Sequence, residues 1–139
     1  FAREPYGNAT LSDSLEWSGL DGTWRISAEE QVTFFDRLRR GDLAFDAGHQ
    51  ATARDVLPTL DTAGDAVLRG KTGWGIPPSE PQIGWLAGWV ERPEGDVVYA
   101  MNLTEAPAGG LQMGPARLRV LRALLAEAQV FPGGSERRP

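Results

Sequence analysis

The pattern of apolar and polar positions divides this chain into helix-like and strand-like stretches separated by turn formers. The clearest helix is Ser27–Arg40, where Val32, Phe35 and Leu38 recur at helical spacing. Ser27 with Glu30 forms a capping box: the hydroxyl accepts from a first-turn amide, and the carboxylate reaches back to the cap amide. Gly41 ends the helix just after Arg37, Arg39 and Arg40, where cations suit the negative helix end. A second, weaker helix is expected over about Ala47–Leu57, ended by Pro58, with Asp61, Thr62, Ala63, Gly64 and Asp65 read as turn residues.

Three strands follow in the pattern: Ala66–Thr72, Ile83–Glu91 and Asp96–Leu103. In the second, Ile83, Trp85, Ala87 and Trp89 share one face, and Gly84 and Gly88 occupy alternate positions where something packs close to the backbone. Glu91–Asp96, with Pro93 and Gly95, suits a hairpin turn. The last helix is expected over about Pro115–Gln129, with Leu118, Leu121, Leu125 and Ala128 as its apolar stripe. The first 26 residues are rich in turn formers and read as irregular, anchored by Trp17, Leu20, Trp24 and Ile26. The Pro/Gly/Arg stretch 131–139 reads as a disordered tail. The order implies an α/β fold of the α+β sandwich type, one domain over residues 1–139. Its antiparallel strands are covered by the last helix on one face, and layers supplied by a further N-terminal part are expected elsewhere.

Composition narrows the chemistry. With 139 residues, 41% hydrophobic and 24% charged, the chain suits one globular domain. Its 19 acidic against 14 basic residues argue against a nucleic-acid partner, since phosphate contacts need clustered Lys and Arg. The basic runs Arg37–Arg40 and Arg137–Arg138 read as a helix end and a tail. There is no cysteine, which excludes disulfides, thiolate metal sites and a Cys nucleophile. The single histidine, His49, excludes a His-rich metal site and reads as a surface helix residue. Asp55, Asp61, Asp65 and Asp96 lack metal-ligand spacing, so no metal is expected. No apolar run reaches membrane-spanning length, and no membrane insertion by this segment is expected. The chain opens Phe-Ala-Arg-Glu without Met, and an upstream segment carrying any signal or anchor is expected.

The sharpest chemical signal is Lys71-Thr72-Gly73 at the end of the first apolar strand, followed by Trp74-Gly75. Lys supplies a fixed positive field and Thr a donor to a carboxylate. Gly lets a ligand lie against the strand edge, and the Trp74 amide can point at a developing oxyanion. The bland alternative is a strand end with a solvated Lys. For Arg117, beside Arg119 and Arg122, it is a solvated helix residue. Trp24, Trp85 and Trp89 read as packing residues.

Ordered matches along the chain resemble class D (oxacillinase-type) serine β-lactamases. They are Tyr6-Gly7-Asn8, Leu20-Asp21-Gly22, Arg25-Ile26-Ser27-Ala28, Gly70-Lys71-Thr72-Gly73-Trp74, Ile83-Gly84-Trp85, Gly88-Trp89-Val90-Glu91 and Ala100-Met101-Asn102. They cover roughly residues 5–132, the C-terminal portion of the family's penicillin-binding domain. The resemblance implies that Lys71, Thr72 and Gly73 meet the substrate, that Arg117 binds its carboxylate, and that the Trp74 backbone N–H is half of an oxyanion hole. It implies a mainly structural role for Tyr6, Gly7 and Asn8, β-lactams as small-molecule partners, and a periplasmic or secreted bacterial protein. No dissociable cofactor is implied, because the family's carbamylated lysine lies in the part this chain lacks.

Two departures stand out. The chain contains no Ser-x-x-Lys, because its one lysine, Lys71, has Leu68 three residues before it; the family's Ser-x-Val is absent too. Where the family has Phe-Trp-Leu, this chain has Ser18-Gly19-Leu20, with Trp17 nearby as a candidate active-site aromatic in its place. Three readings stay open. One is a β-lactam hydrolase whose nucleophile lies outside this chain, which would be inactive alone. Another is the penicillin-sensing domain of a membrane receptor, acylated without turnover. The third is an inactive relic whose uncovered face drives aggregation or a homodimer.

Overall fold

The computed structural model describes residues 4–10, 13, 22–76, 81–105 and 110–132. Among them lie helices α1 (Ala28–Arg40), α2 (Ala47–Asp55) and α3 (Met113–Glu127), and strands β1 (Thr59–Ala63), β2 (Ala66–Gly75), β3 (Gln82–Glu91) and β4 (Val97–Glu105). The fold is mixed α/β, with the strands in one antiparallel sheet of order β1-β2-β3-β4.

α1 starts and stops where its chemistry dictates. The Ser27 hydroxyl accepts the Glu30 amide at 3.1 Å, and the Glu30 carboxylate accepts the Ser27 amide at 2.8 Å. At the other end Gly41 turns left-handed at φ 78° and its N–H returns to the last turn. The bonds from Ser27, its backbone N–H first and its hydroxyl second, hold the Glu30 carboxyl below the usual glutamate range. A lowered carboxyl pKa gives stability that is present above the unfolded value and lost as pH falls through the folded one. Circular dichroism of an acid titration is therefore expected to show α1 loosening below the carboxylate range, with Glu30→Gln abolishing that component.

The sheet is packed on both faces. Toward α3, Leu68 of β2, Leu86 and Val90 of β3 and Tyr99 of β4 meet Leu121, Leu125 and Phe131. Toward α1, Ala87 and Trp89 of β3 join Phe35 and Leu57, with Phe34, Val98 and Ala100 beside them. α1 is thus a covering layer for the second face that lies within this chain.

Four expectations change. The stretch read as a turn is mostly strand: β1 pairs with β2 from Thr59↔Arg69 to Ala63↔Ala66, and only Gly64 and Asp65 turn. Gly64 supplies the positive φ, 59°, that a tight hairpin favours. Second, Phe131, read as the start of the tail, is 1% exposed and packs in the core; 133–139 lie outside the described residues. Third, the buried stripe of α3 is Met113, Ala116, Arg117, Leu121 and Leu125, while Ala128 is exposed. Fourth, helix α2 ends at Asp55, short of Pro58, with its N-cap supplied by Asp46.

Candidate functional site

β1 covers only the first half of β2. Its last partner is Arg69, and the Gly70 N–H then reaches back to the Pro58 carbonyl at 3.0 Å. Strand backbone groups alternate in direction, so the peptide groups of Thr72 and Trp74 point to the same edge as that of Gly70. Beyond Gly70 no described strand pairs with that edge, while on the other side β3 stays in register to Gly75↔Ile83. The Lys71-Thr72-Gly73 motif therefore ends on an open strand edge, with Lys71 and Thr72 exposed. The Trp74 indole is half exposed, and its N–H donates to Gln82 Oε1 at 3.0 Å.

Two cations bond consecutive carbonyls of this strand end, reaching them from opposite faces of the sheet. Lys71 Nζ donates to the Thr72 carbonyl at 2.6 Å, and Arg117 Nη1 donates to the Gly73 carbonyl. Arg117 is 7% exposed, unlike its exposed neighbour Arg119, so it is no solvated helix charge. Its Nε is buried without a hydrogen-bond partner among the described residues. Burial lowers its pKa from the usual arginine value, yet a guanidinium stays charged at neutral pH. Gly84 makes this reach possible. A Cβ there would collide with Met113 Sδ and Arg117 Cδ, so only a glycine lets the first turn of α3 lie against β3 and pass the guanidinium across to β2.

On the other face a cleft of about 700 Å³ opens over the motif. Lys71, Thr72, Gly73 and Trp85 form its floor, and Tyr6, Trp24, Ile26, Gln31 and Phe34 its wall. The Tyr6 ring meets Trp24 edge-on at 5.4 Å and Phe34 at 4.8 Å. Its hydroxyl accepts from Gln31 Nε2 at 2.5 Å. Burial pushes the Tyr6 phenol up, with the Gln31 bond acting against it.

Tyr6-Gly7-Asn8 is fastened to the segment that leads into α1. Asn8 donates its backbone N–H to the Arg25 carbonyl at 2.8 Å, and its side chain bonds the Thr23 carbonyl and the Arg25 amide. Gly7 has φ 58°, and a Cβ there would run into the Arg25 carbonyl, so both the turn and the close approach require glycine. Just upstream, the buried carboxylate of Glu4 takes bonds from both Arg37 amino groups and from the Ala44 amide.

The structure thus brings Lys71, Thr72, Gly73, Trp74 and Arg117 to one strand end, with Tyr6 across the cleft. Trp17, the candidate replacement aromatic, lies outside the described residues. Trp85 is half-buried on the cleft floor rather than in the core, whereas Trp89 is core. His49 is exposed on α2. Sequence reasoning did not find Gln31, Phe34 and Glu4, because their partners lie far along the chain and carry no local signal.

Comparison with known proteins fits this geometry. No family model matches the chain. Among solved structures, the class D β-lactamase FUS-1 (OXA-85) from Fusobacterium nucleatum subsp. polymorphum superposes with a TM-score of 0.76 at 30% identity, over 90% of this chain and 50% of that one. The fold is therefore that of part of a class D β-lactamase. The sequence is 39% identical over 98 residues to β-lactamase OXA-2 of Salmonella typhimurium, covering 70% of this chain and 34% of that protein. It is 35% identical over 127 residues to OXA-20 of Pseudomonas aeruginosa, 91% of this chain and 45% of that protein. OXA-48 of Klebsiella pneumoniae is 32% identical over 127 residues, 91% of this chain and 46% of that protein. The chain belongs to the class D β-lactamase family and spans less than half the length of these curated relatives.

Proposed function

We propose that this chain supplies the β-lactam-binding edge and carboxylate clamp of a serine β-lactamase whose nucleophile lies outside these 139 residues. The observation that carries the reading is the open edge of β2 at Thr72 and Trp74, with Lys71 and the buried Arg117 bonded to consecutive carbonyls of that strand end. In this reading a β-lactam lies along β2 as an added strand would, its carbonyl oxygen against the Trp74 N–H and its carboxylate between Thr72 and the Arg117 fork. As the serine attacks, negative charge grows on that carbonyl oxygen, and a fixed amide stabilises it without reorganising. The cleft wall of Tyr6, Trp24 and Phe34 excludes water from one side. Class D membership and the open edge support β-lactams as ligands, and with them a periplasmic or secreted setting. Among the described residues no helix is long and apolar enough to cross a membrane.

The reading is tested by sequencing the DNA upstream of Phe1 in frame and assaying both products. A Ser-x-x-Lys followed by Ser-x-Val is expected. The complete product is expected to hydrolyse oxacillin, and the 139-residue chain to be inactive, since a site without nucleophile and base loses most of its rate. Turnover by the isolated chain, or neither motif upstream, would refute it.

A further inference from the structure

The end of β2 is held by a hydrogen-bonded circuit that runs through residues outside the motif. The Trp74 indole N–H donates to Gln82 Oε1 at 3.0 Å, and Gln82 Nε2 donates to Glu105 Oε2 at 2.6 Å. Gln82 and Glu105 face each other directly in the β3–β4 register. Both Glu105 oxygens then accept the Leu111 N–H, at 2.8 and 3.1 Å. Leu111 stands just before α3, the helix that carries Arg117, and Arg117 returns to the Gly73 carbonyl. The circuit closes on the residue next to Trp74.

Glu105 joins the Gln82 arm of this circuit to the α3 arm, and α3 has a particular need of it. Its N-cap residue, Gln112, makes no side-chain cap bond, and its first turn holds no acidic residue. A helix start carries unpaired N–H groups and partial positive charge, which a nearby carboxylate stabilises. Glu105 supplies that carboxylate from the neighbouring strand and takes one N–H at the entry to the helix. The same carboxylate orients the Gln82 amide, whose oxygen is thereby turned toward the Trp74 indole.

We propose that Glu105 is a positioning residue: it holds Trp74, through Gln82, and Arg117, through the first turn of α3, in fixed places on either side of Gly73. The inference rests on the reading of this strand end as the β-lactam edge, but its test does not. In the 139-residue chain, nuclear magnetic resonance reads the Trp74 indole N–H, the Leu111 amide and the Arg117 side-chain N–H separately. Glu105→Ala should shift all three and speed hydrogen exchange at the first two about five- to tenfold, the effect of losing one net hydrogen bond. Gln82→Ala should move the indole signal and leave Leu111 and Arg117 in place. Should Glu105→Ala not fold, Glu105→Gln carries the test. It offers one uncharged acceptor oxygen where the carboxylate offers two charged ones, so the bonds from Leu111 and Gln82 should both weaken. A Glu105 variant that alters Leu111 while the indole and Arg117 signals stay put would reduce Glu105 to a local helix cap and overturn the proposal. In the complete product the same variant should raise the KM for oxacillin. A complete product with no turnover at all would sink the functional reading, and the resonance data would still decide the circuit.

Discussion

Replacing Gly88 by alanine is expected to cost about 3 kcal/mol of stability, a drop in Tm of about 10 °C for a domain of this size. Gly88 faces Gly70 across the β2–β3 pairing. A Cβ on Gly88 would run into the Arg69 carbonyl oxygen and lie 2.6 Å from Gly70 Cα. These are backbone atoms of the adjoining strand and have no rotamer to change. β2 cannot slide away, because Leu68 is fully buried against α3 and the pairing with β3 runs on in register to Gly75↔Ile83. Relief must come from separating the strands, which breaks ladder bonds at the middle of the sheet. Gly114→Ala serves as the control: an added Cβ there meets nothing within 4 Å, so no loss is expected. Thermal unfolding of the two variants separates close strand approach from a general cost of removing glycine.

Arg117→Ala in the complete product is expected to raise the KM for oxacillin about a hundredfold or more, in line with truncation of a buried, hydrogen-bonded charge. Arg117 is 7% exposed and its Nε is buried with no partner among the described residues, so much of its desolvation is met before any ligand arrives. A ligand carboxylate that meets it gains a fork of donors whose cost of burial the fold has already met. Arg117→Lys should recover little, since a lysine keeps the charge but not the planar fork. The variant also removes the donor to the Gly73 carbonyl, so a modest loss of stability should accompany the kinetic effect. Steady-state kinetics with oxacillin and a thermal melt on the same sample separate the two.

Local chemistry made much of this fold legible. The capping box at Ser27 and Glu30 and the stop at Gly41 place α1 to within a residue, because both signals act through neighbours in the chain. β1 was not legible: Asp61 to Asp65 have turn composition, and only pairing with β2, together with Leu60 in the core, makes strand of the first three. Nor does pattern alone tell Arg117 from Arg119. One is buried and the other exposed because the helix packs over Gly84, and that contact joins residues far apart in sequence. Trp85 and Trp89 alternate identically, yet one floors the cleft and the other fills the core. α1 covers the sheet at Trp89, and the cleft opens at Trp85. The resemblance named the strand-end motif and Arg117; the fold adds how Gly84, Gln82 and Glu105 hold them.

The most direct test follows the product of the complete reading frame by mass spectrometry as it reacts with oxacillin. The account predicts a transient covalent adduct on a serine outside these 139 residues, decaying as hydrolysed oxacillin accumulates, and both slowed by Arg117→Ala. Unmodified protein beside intact oxacillin would contradict it.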